Sequence, residues 1–259
     1  MNGSAVNRTC ASVFLPLLMA FLSVAIALPT HAGVVVSGTR VVYKANQKDV
    51  SIWLKNNNDK PALVQIWMDG GDENASPENA RVPFVAMPPI FRLEPNKQQV
   101  VRLVYTGEAL PSDKESLFWF NVLEVPPKAQ SNEAENQLQF AFRSRLKLFF
   151  RPEGLPYDVS EAPGKLRWQL VNREQGPALQ VHNPTPYNVN FDSVVLVAAD
   201  KRYVKPEGQV SSENMVGPGA SNLFPLPDLK SLPGADAQVE FKVIDDIGSV
   251  STHTQKISR

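Results

Sequence analysis

The chain has 259 residues, 43% hydrophobic and 20% charged, with 26 basic and 26 acidic side chains. This is ordinary globular composition, and it leaves no basic excess of the kind that general nucleic-acid binding requires. The 22 prolines interrupt the sequence too often for a helical bundle or a helical repeat.

Arg8 precedes an apolar run from Ala11 to Leu28, closed by Pro29 and by Thr30-His31-Ala32. A single positive charge, an apolar stretch, a helix breaker and a small-residue site read as a secretory signal peptide over residues 1–32, cut after Ala32. The competing reading is an N-terminal anchor, but the run lies near the lower limit of about 18 residues for a membrane span. Cleavage would remove Cys10, the one cysteine of the chain. An exported protein without disulfides must rest on its core alone, which fits a bacterial periplasm better than a disulfide-stapled secreted scaffold.

After the leader come short β-runs: Val34–Val36, Arg40–Tyr43, Val50–Leu54 and Ala62–Trp67. Polar turn clusters at Lys55–Pro61 and Asp69–Asn74 separate them. Phe84–Ala86, Val100–Tyr105, Leu117–Val122 and a long run from Leu138 to Phe150 follow, enough for an immunoglobulin-like sandwich. Proline and glycine in Arg151–Pro156 end the longest run and mark a boundary. Beyond it, Leu166–Leu170, Leu179–Val181, Val189–Phe191 and Val239–Val243 alternate again and predict a second, smaller sandwich. The predicted fold is all-β: two tandem immunoglobulin-like β-sandwich domains, residues 33–153 and 154–259.

Catalytic chemistry finds little support. His182 and His253 stand alone on strand-like segments, and no metalloprotease helix, nucleophile elbow, P-loop or dinucleotide fingerprint occurs. Asp69, Asp72 and Glu73 lack calcium-loop spacing and read as a solvated turn. Trp53, Trp67, Trp119 and Trp168 sit in alternating apolar strands and read as core, not as a sugar-binding platform. The chain is expected to be no enzyme, with no cofactor, no metal and no small-molecule substrate.

Alternation is strictest between Leu138 and Leu148. Leu138, Phe140, Phe142, Leu146 and Leu148 share one face, and Arg143, Arg145 and Lys147 share the other. Two readings stay open on periodicity alone. The strand is either half-buried in its own core, or its first half is an exposed edge whose Leu138, Phe140 and Phe142 enter another protein. Arg40, Lys147, Glu115, Arg151 and Asp246, taken singly, are ordinary surface charges.

The stretch Leu110-Pro111-Ser112-Asp113-Lys114-Glu115-Ser116-Leu117-Phe118-Trp119-Phe120-Asn121-Val122 closely resembles the signature of periplasmic pilus chaperones, the PapD-like family. Gly38–Tyr43, Pro88–Pro95, Leu123–Pro127, Arg145–Pro152, Asn183–Tyr187 and Asp245–Gly248 resemble further family motifs in the same order. The resemblance implies that Leu138, Phe140 and Phe142 belong to a strand donated to a pilus subunit, and that Arg40 and Lys147 bind the subunit's C-terminal carboxylate. It also implies an interdomain ionic cluster of Glu115, Arg151 and Asp246. The implied partners are pilus subunits and an outer-membrane usher, and the apolar edge leaves self-association of the empty protein open. The connection Lys128–Gln137 is short and without cysteine, which resembles the short-loop subfamily that serves rod-like pili. An exported two-domain adhesin, or a pilus subunit itself, is the alternative.

Overall fold

A computed structural model describes residues 33–127, 138–174, 176–198, 201–204, 214–230 and 236–257. The proposed signal peptide and the connection at 128–137 lie outside these residues. Nine strands build the first sandwich. They are β1 (Val34–Val36), β2 (Arg40–Lys44), β3 (Val50–Asn56), β4 (Ala62–Asp69), β5 (Phe84–Met87), β6 (Ile90–Leu93), β7 (Gln98–Tyr105), β8 (Ser116–Val125) and β9 (Phe142–Arg151). One sheet has the order β1-β3-β7-β5 and the other β2-β9-β8-β4-β6. The chain changes sheet between β1 and β2 at Gly38, whose φ of 97° is open to glycine at no steric cost.

Period-two alternation places the core between these sheets. In β3, Ile52 and Leu54 are buried while Ser51, Trp53 and Lys55 are exposed. They join Val101 and Leu103 of the neighbouring β7 and meet Val64, Ile66, Phe120, Val122, Leu148 and Phe150 of the facing sheet. Trp53 is thus a surface residue, 52% exposed, and its assignment to the core fails. It occupies the outward phase of an alternation whose inward phase is aliphatic.

β9 begins at Phe142, so the predicted strand from Leu138 is shortened. Its antiparallel pairing with β8 ends at Glu124↔Phe142, because β8 runs directly into Pro126-Pro127 and proline has no N–H to donate. Gln139 instead donates a side-chain hydrogen bond to the Pro127 carbonyl at 3.0 Å.

A 3-10 turn (Val159–Glu161) and one helical turn, α1 (Ala162–Lys165), lead into the second sandwich. It contains β10 (Arg167–Arg173), β11 (Gly176–His182), β12 (Val189–Ala198), β13 (Lys201–Val204), β14 (Met215–Val216), β15 (Ser221–Pro225), β16 (Gln238–Ile244) and β17 (Val250–Lys256). Trp168 lies at its centre, with ring centroids of Phe191, Phe224 and Phe241 5.6, 6.1 and 5.1 Å away. Here the core assignment of a tryptophan holds. The described residues from Val34 onward form one compact unit that includes both sandwiches.

Candidate functional site

β2 runs parallel to β9, with Arg40 opposite Lys147 and Val41 opposite Leu148. That register sets two cations side by side, at the neighbouring-strand spacing of about 4.8 Å, on the face turned toward the second sandwich. The Arg40 Nη1 donates to the Ile244 carbonyl at 3.0 Å, and the Lys147 ammonium to Asn190 Oδ1 at 2.6 Å. Both donors therefore reach across from the first block to strands of the second. A cavity of about 260 Å³ opens between them, touching Thr39, Trp119, Arg145 and Asp192. Gly248, at φ 89°, packs so closely on Thr39, which lines this cavity, that a Cβ there would lie 3.0 Å from Thr39 Oγ1.

Electrostatics mark this cleft as anion-seeking. Burial, and then the nearby charge of Arg40, push the Lys147 pKa from 10.5 down to about 8. Burial likewise lowers Arg40, partly offset by Asp246 and Asp245. Two half-buried like charges are costly together, and a carboxylate between them would relieve both. Among the described residues no group of three or more His, Cys, Asp or Glu side chains is placed to hold a metal ion.

Glu115, Arg151 and Asp246 come together next to this cleft. Arg151 Nε donates to Glu115 Oε1 at 2.7 Å, and its two terminal nitrogens form a fork on Asp246 at 2.6 and 2.8 Å. The second Glu115 oxygen accepts from the Asn188 backbone and side-chain N–H groups at 2.8 and 3.0 Å. Burial alone would lower the Arg151 pKa, but the bonds to Asp246 and the charge of Glu115 hold it above the ordinary guanidinium value. Asn188 and Asn190, just after the Asn183–Tyr187 motif, carry no signal of their own in the sequence. Their local pattern resembles any turn, and they gain partners only in the fold, Asn188 from Glu115 just ahead of β8 and Asn190 from Lys147 on β9.

Leu138, Phe140 and Phe142 stand apart from the core, 78%, 58% and 65% exposed. Farther along the same face Leu146 is half-buried and Leu148 fully buried. This face, apolar but for Ser144, therefore begins in solvent and ends inside the sandwich.

The opposite face of the sheet corrects two expectations. Its rows across β4, β8 and β9 read Gln65–Leu123–Arg143, Trp67–Asn121–Arg145 and Asp69–Trp119–Lys147. Trp67 and Trp119 are buried under guanidinium groups, not in the apolar core: Arg143 Cζ lies 4.9 Å from the Trp67 ring centre and Arg145 Cζ 4.2 Å from that of Trp119. Asp69 is no part of a solvated turn. It ends β4, is fully buried, and accepts a fork from Arg145 at 2.6 and 3.2 Å. Burial would raise its pKa, but Arg145, Asn121 and the Gly71 N–H together hold it below the usual carboxylate range. The His182 and His253 rings lie within hydrogen-bonding distance of serine hydroxyls, Ser221 at 3.1 Å and Ser251 at 2.9 Å.

Residues 33–156 match the family model described as "Pili and flagellar-assembly chaperone, PapD N-terminal domain", and residues 161–255 match "Pili assembly chaperone PapD, C-terminal domain". The probable fimbrial chaperone YadV of Escherichia coli K12 is 44% identical over 233 residues, covering 89% of this chain and 90% of its own. The crystal structure of the YadV chaperone superposes with a TM-score of 0.73 at 40% identity, covering 87% of this chain and all of the other. A chain from the Salmonella enterica complex of SafA pilin with the SafB chaperone gives 0.69 at 30% identity, covering 89% of this chain and 99% of that one.

Proposed function

Since the chain belongs to the PapD family of pilus-assembly chaperones, we propose that it binds and stabilises pilus subunits in the periplasm by lending them the first half of β9. Under this reading Leu138, Phe140 and Phe142 fill the groove of a subunit that lacks its last strand. Arg40 and Lys147 hold that subunit's terminal carboxylate. The signal peptide over 1–32, domains over 33–153 and 154–259, and delivery to an outer-membrane usher belong to the same proposal. The alternative of an exported adhesin or a pilus subunit gives way to a family of chaperones.

One observation carries the proposal: the open lane ahead of β2. Among the described residues, β8 alone pairs with Phe142–Leu146, whereas β2 occupies the other edge of β9 only from Lys147 onward. A parallel strand entering that lane would run toward β2 and end at Arg40 and Lys147, its carboxylate meeting both cations. An antiparallel strand would bring a positively charged terminus or an uncharged carbonyl there instead. Charge thus selects the parallel orientation, and the fixed carboxylate sets the register, since a slip by one residue would turn every side chain to the wrong face.

Periplasmic co-purification of tagged protein with a pilus subunit of its own assembly system tests this. Wild type is expected to retain the subunit and Arg40→Ala or Lys147→Ala to lose it; equal recovery in all three removes the anchor. Lys147 adds a pH signature. Only its ammonium form pairs with a carboxylate, so affinity is level below pH 8 and falls by up to about tenfold per unit above it. For the empty protein the sign is opposite: a depressed lysine favours the folded state above its ordinary value and loses that contribution as pH falls through about 8. Titration of subunit affinity between pH 7 and 10 checks the first effect, and Lys147→Met should flatten it.

A further inference from the structure

On the outer face of β4, β8 and β9 the side chains of Trp67, Asp69, Trp119, Asn121, Arg143 and Arg145 form a clamp. Arg143 donates through Nε and Nη2 to Asn121 Oδ1 at 3.0 and 2.7 Å, and through Nη1 to the Glu73 carbonyl at 2.6 Å. Asn121 donates in turn to Asp69 Oδ2 at 2.8 Å, the carboxylate that Arg145 grips from the other side. Trp67 is itself fixed by donating from Nε1 to the Ala75 carbonyl at 3.1 Å. Each guanidinium is thus held by a planar acceptor and an indole ring at once.

This clamp covers the stretch of β9 that, among the described residues, has a paired strand on one side only. Phe142–Leu146 pair with β8, β2 joins only at Lys147, and β8 itself stops two residues before Pro127. A strand paired on one edge, against a neighbour that itself ends at a proline pair, is prone to fray. A fully buried carboxylate on an outer sheet face is costly without a matched partner. Asp69 and Arg145 supply each other with that match beside the stretch of β9 that β2 does not pair.

We propose that Arg143 and Arg145 are positioning residues for strand donation: by locking the polar face of β9 to Trp67, Trp119, Asn121 and Asp69 they keep its open edge straight and aim Phe142 and the residues before it outward ahead of any subunit. Pre-ordering removes the cost of arranging the strand at the moment of binding. The proposal rests on the chaperone reading. It goes beyond it in assigning the work of alignment to the side chains that never enter the subunit.

Arg143→Lys and Arg145→Lys keep the charge opposite Asp69, so the fold is preserved, but remove the fork and the flat stacking surface. Hydrogen exchange of the full-length empty protein is the first readout. In both variants the β8-bonded amides of Phe142–Leu146 should exchange at least tenfold faster, with β16 amides unchanged as internal control. Co-purification of a co-expressed pilus subunit is the second, and recovery should fall at least fivefold. Unchanged exchange overturns the clamp. Faster exchange with undiminished recovery reduces it to a packing feature and overturns the positioning role. Should wild type itself recover no subunit, the chaperone reading fails and takes the purpose of the clamp with it; the exchange data tell that failure apart from a failure of the clamp.

Discussion

Serine at both Phe140 and Phe142 will abolish capture of a pilus subunit while leaving the protein itself as stable as before. Both rings are more than half exposed, and their closest aromatic neighbour is each other, with centroids 6.4 Å apart. Removing exposed apolar surface changes stability by no more than about 0.5 kcal/mol. In a subunit groove each ring would be worth about 1.5–3 kcal/mol, so losing two weakens the complex by at least about 100-fold. Urea unfolding of the variant together with subunit co-purification checks both halves. A fall in stability comparable to the fall in binding would place these rings in the protein's own core. The dissociation between the two readouts distinguishes a lent strand from a structural one.

Arg151→Ala has the reverse signature. The guanidinium is nearly enclosed, with 12% of its side chain exposed, and bonds Glu115, whose side chain is 1% exposed. Taking it away leaves a buried carboxylate facing only the Asn188 N–H groups, at a cost of about 3–5 kcal/mol. For a chain of this size that lowers Tm by about 10 °C. Arg151→Lys should lie between the two, since an ammonium cannot span Glu115 and bidentate Asp246 together. Adding Glu115→Gln to Arg151→Ala should recover part of the loss, because the stranded charge disappears with its partner. Calorimetry of the four proteins decides the matter. If all four unfold alike, the cluster contributes only as a solvated surface pair would.

Much of the architecture was legible because it follows from period-two alternation and from proline and glycine placement. Ile52, Leu54, Leu148 and Phe150 announce their inward face, and the Arg151–Pro156 stretch announces the end of the longest strand. Trp53, Trp67 and Trp119 were misread for a different reason. Alternation says that a side chain faces one side of a sheet, not whether that side is apolar, open to water, or roofed by arginines from the next strand. Asp69 was misread likewise, since its acidic neighbours Asp72 and Glu73 resemble a turn until β9 brings Arg145 across. The start of β9 depends on where β8 stops, a non-local condition that the run from Leu138 does not contain. Arg40 and Lys147 are the extreme case: nothing in either local sequence pairs them, and they become neighbours only through a parallel register.

That register has a consequence for the order of events during maturation. Arg40 and Lys147 lie roughly a hundred positions apart along the chain, and contacts so distant in sequence form late because a large loop must first be closed. The first cation emerges early and waits for the second until nearly the whole first sandwich is in place. If these two cations anchor a client's terminus as proposed, a molecule still folding has its exposed apolar residues before it has the paired charges, and the anchor is completed only together with the first sandwich itself.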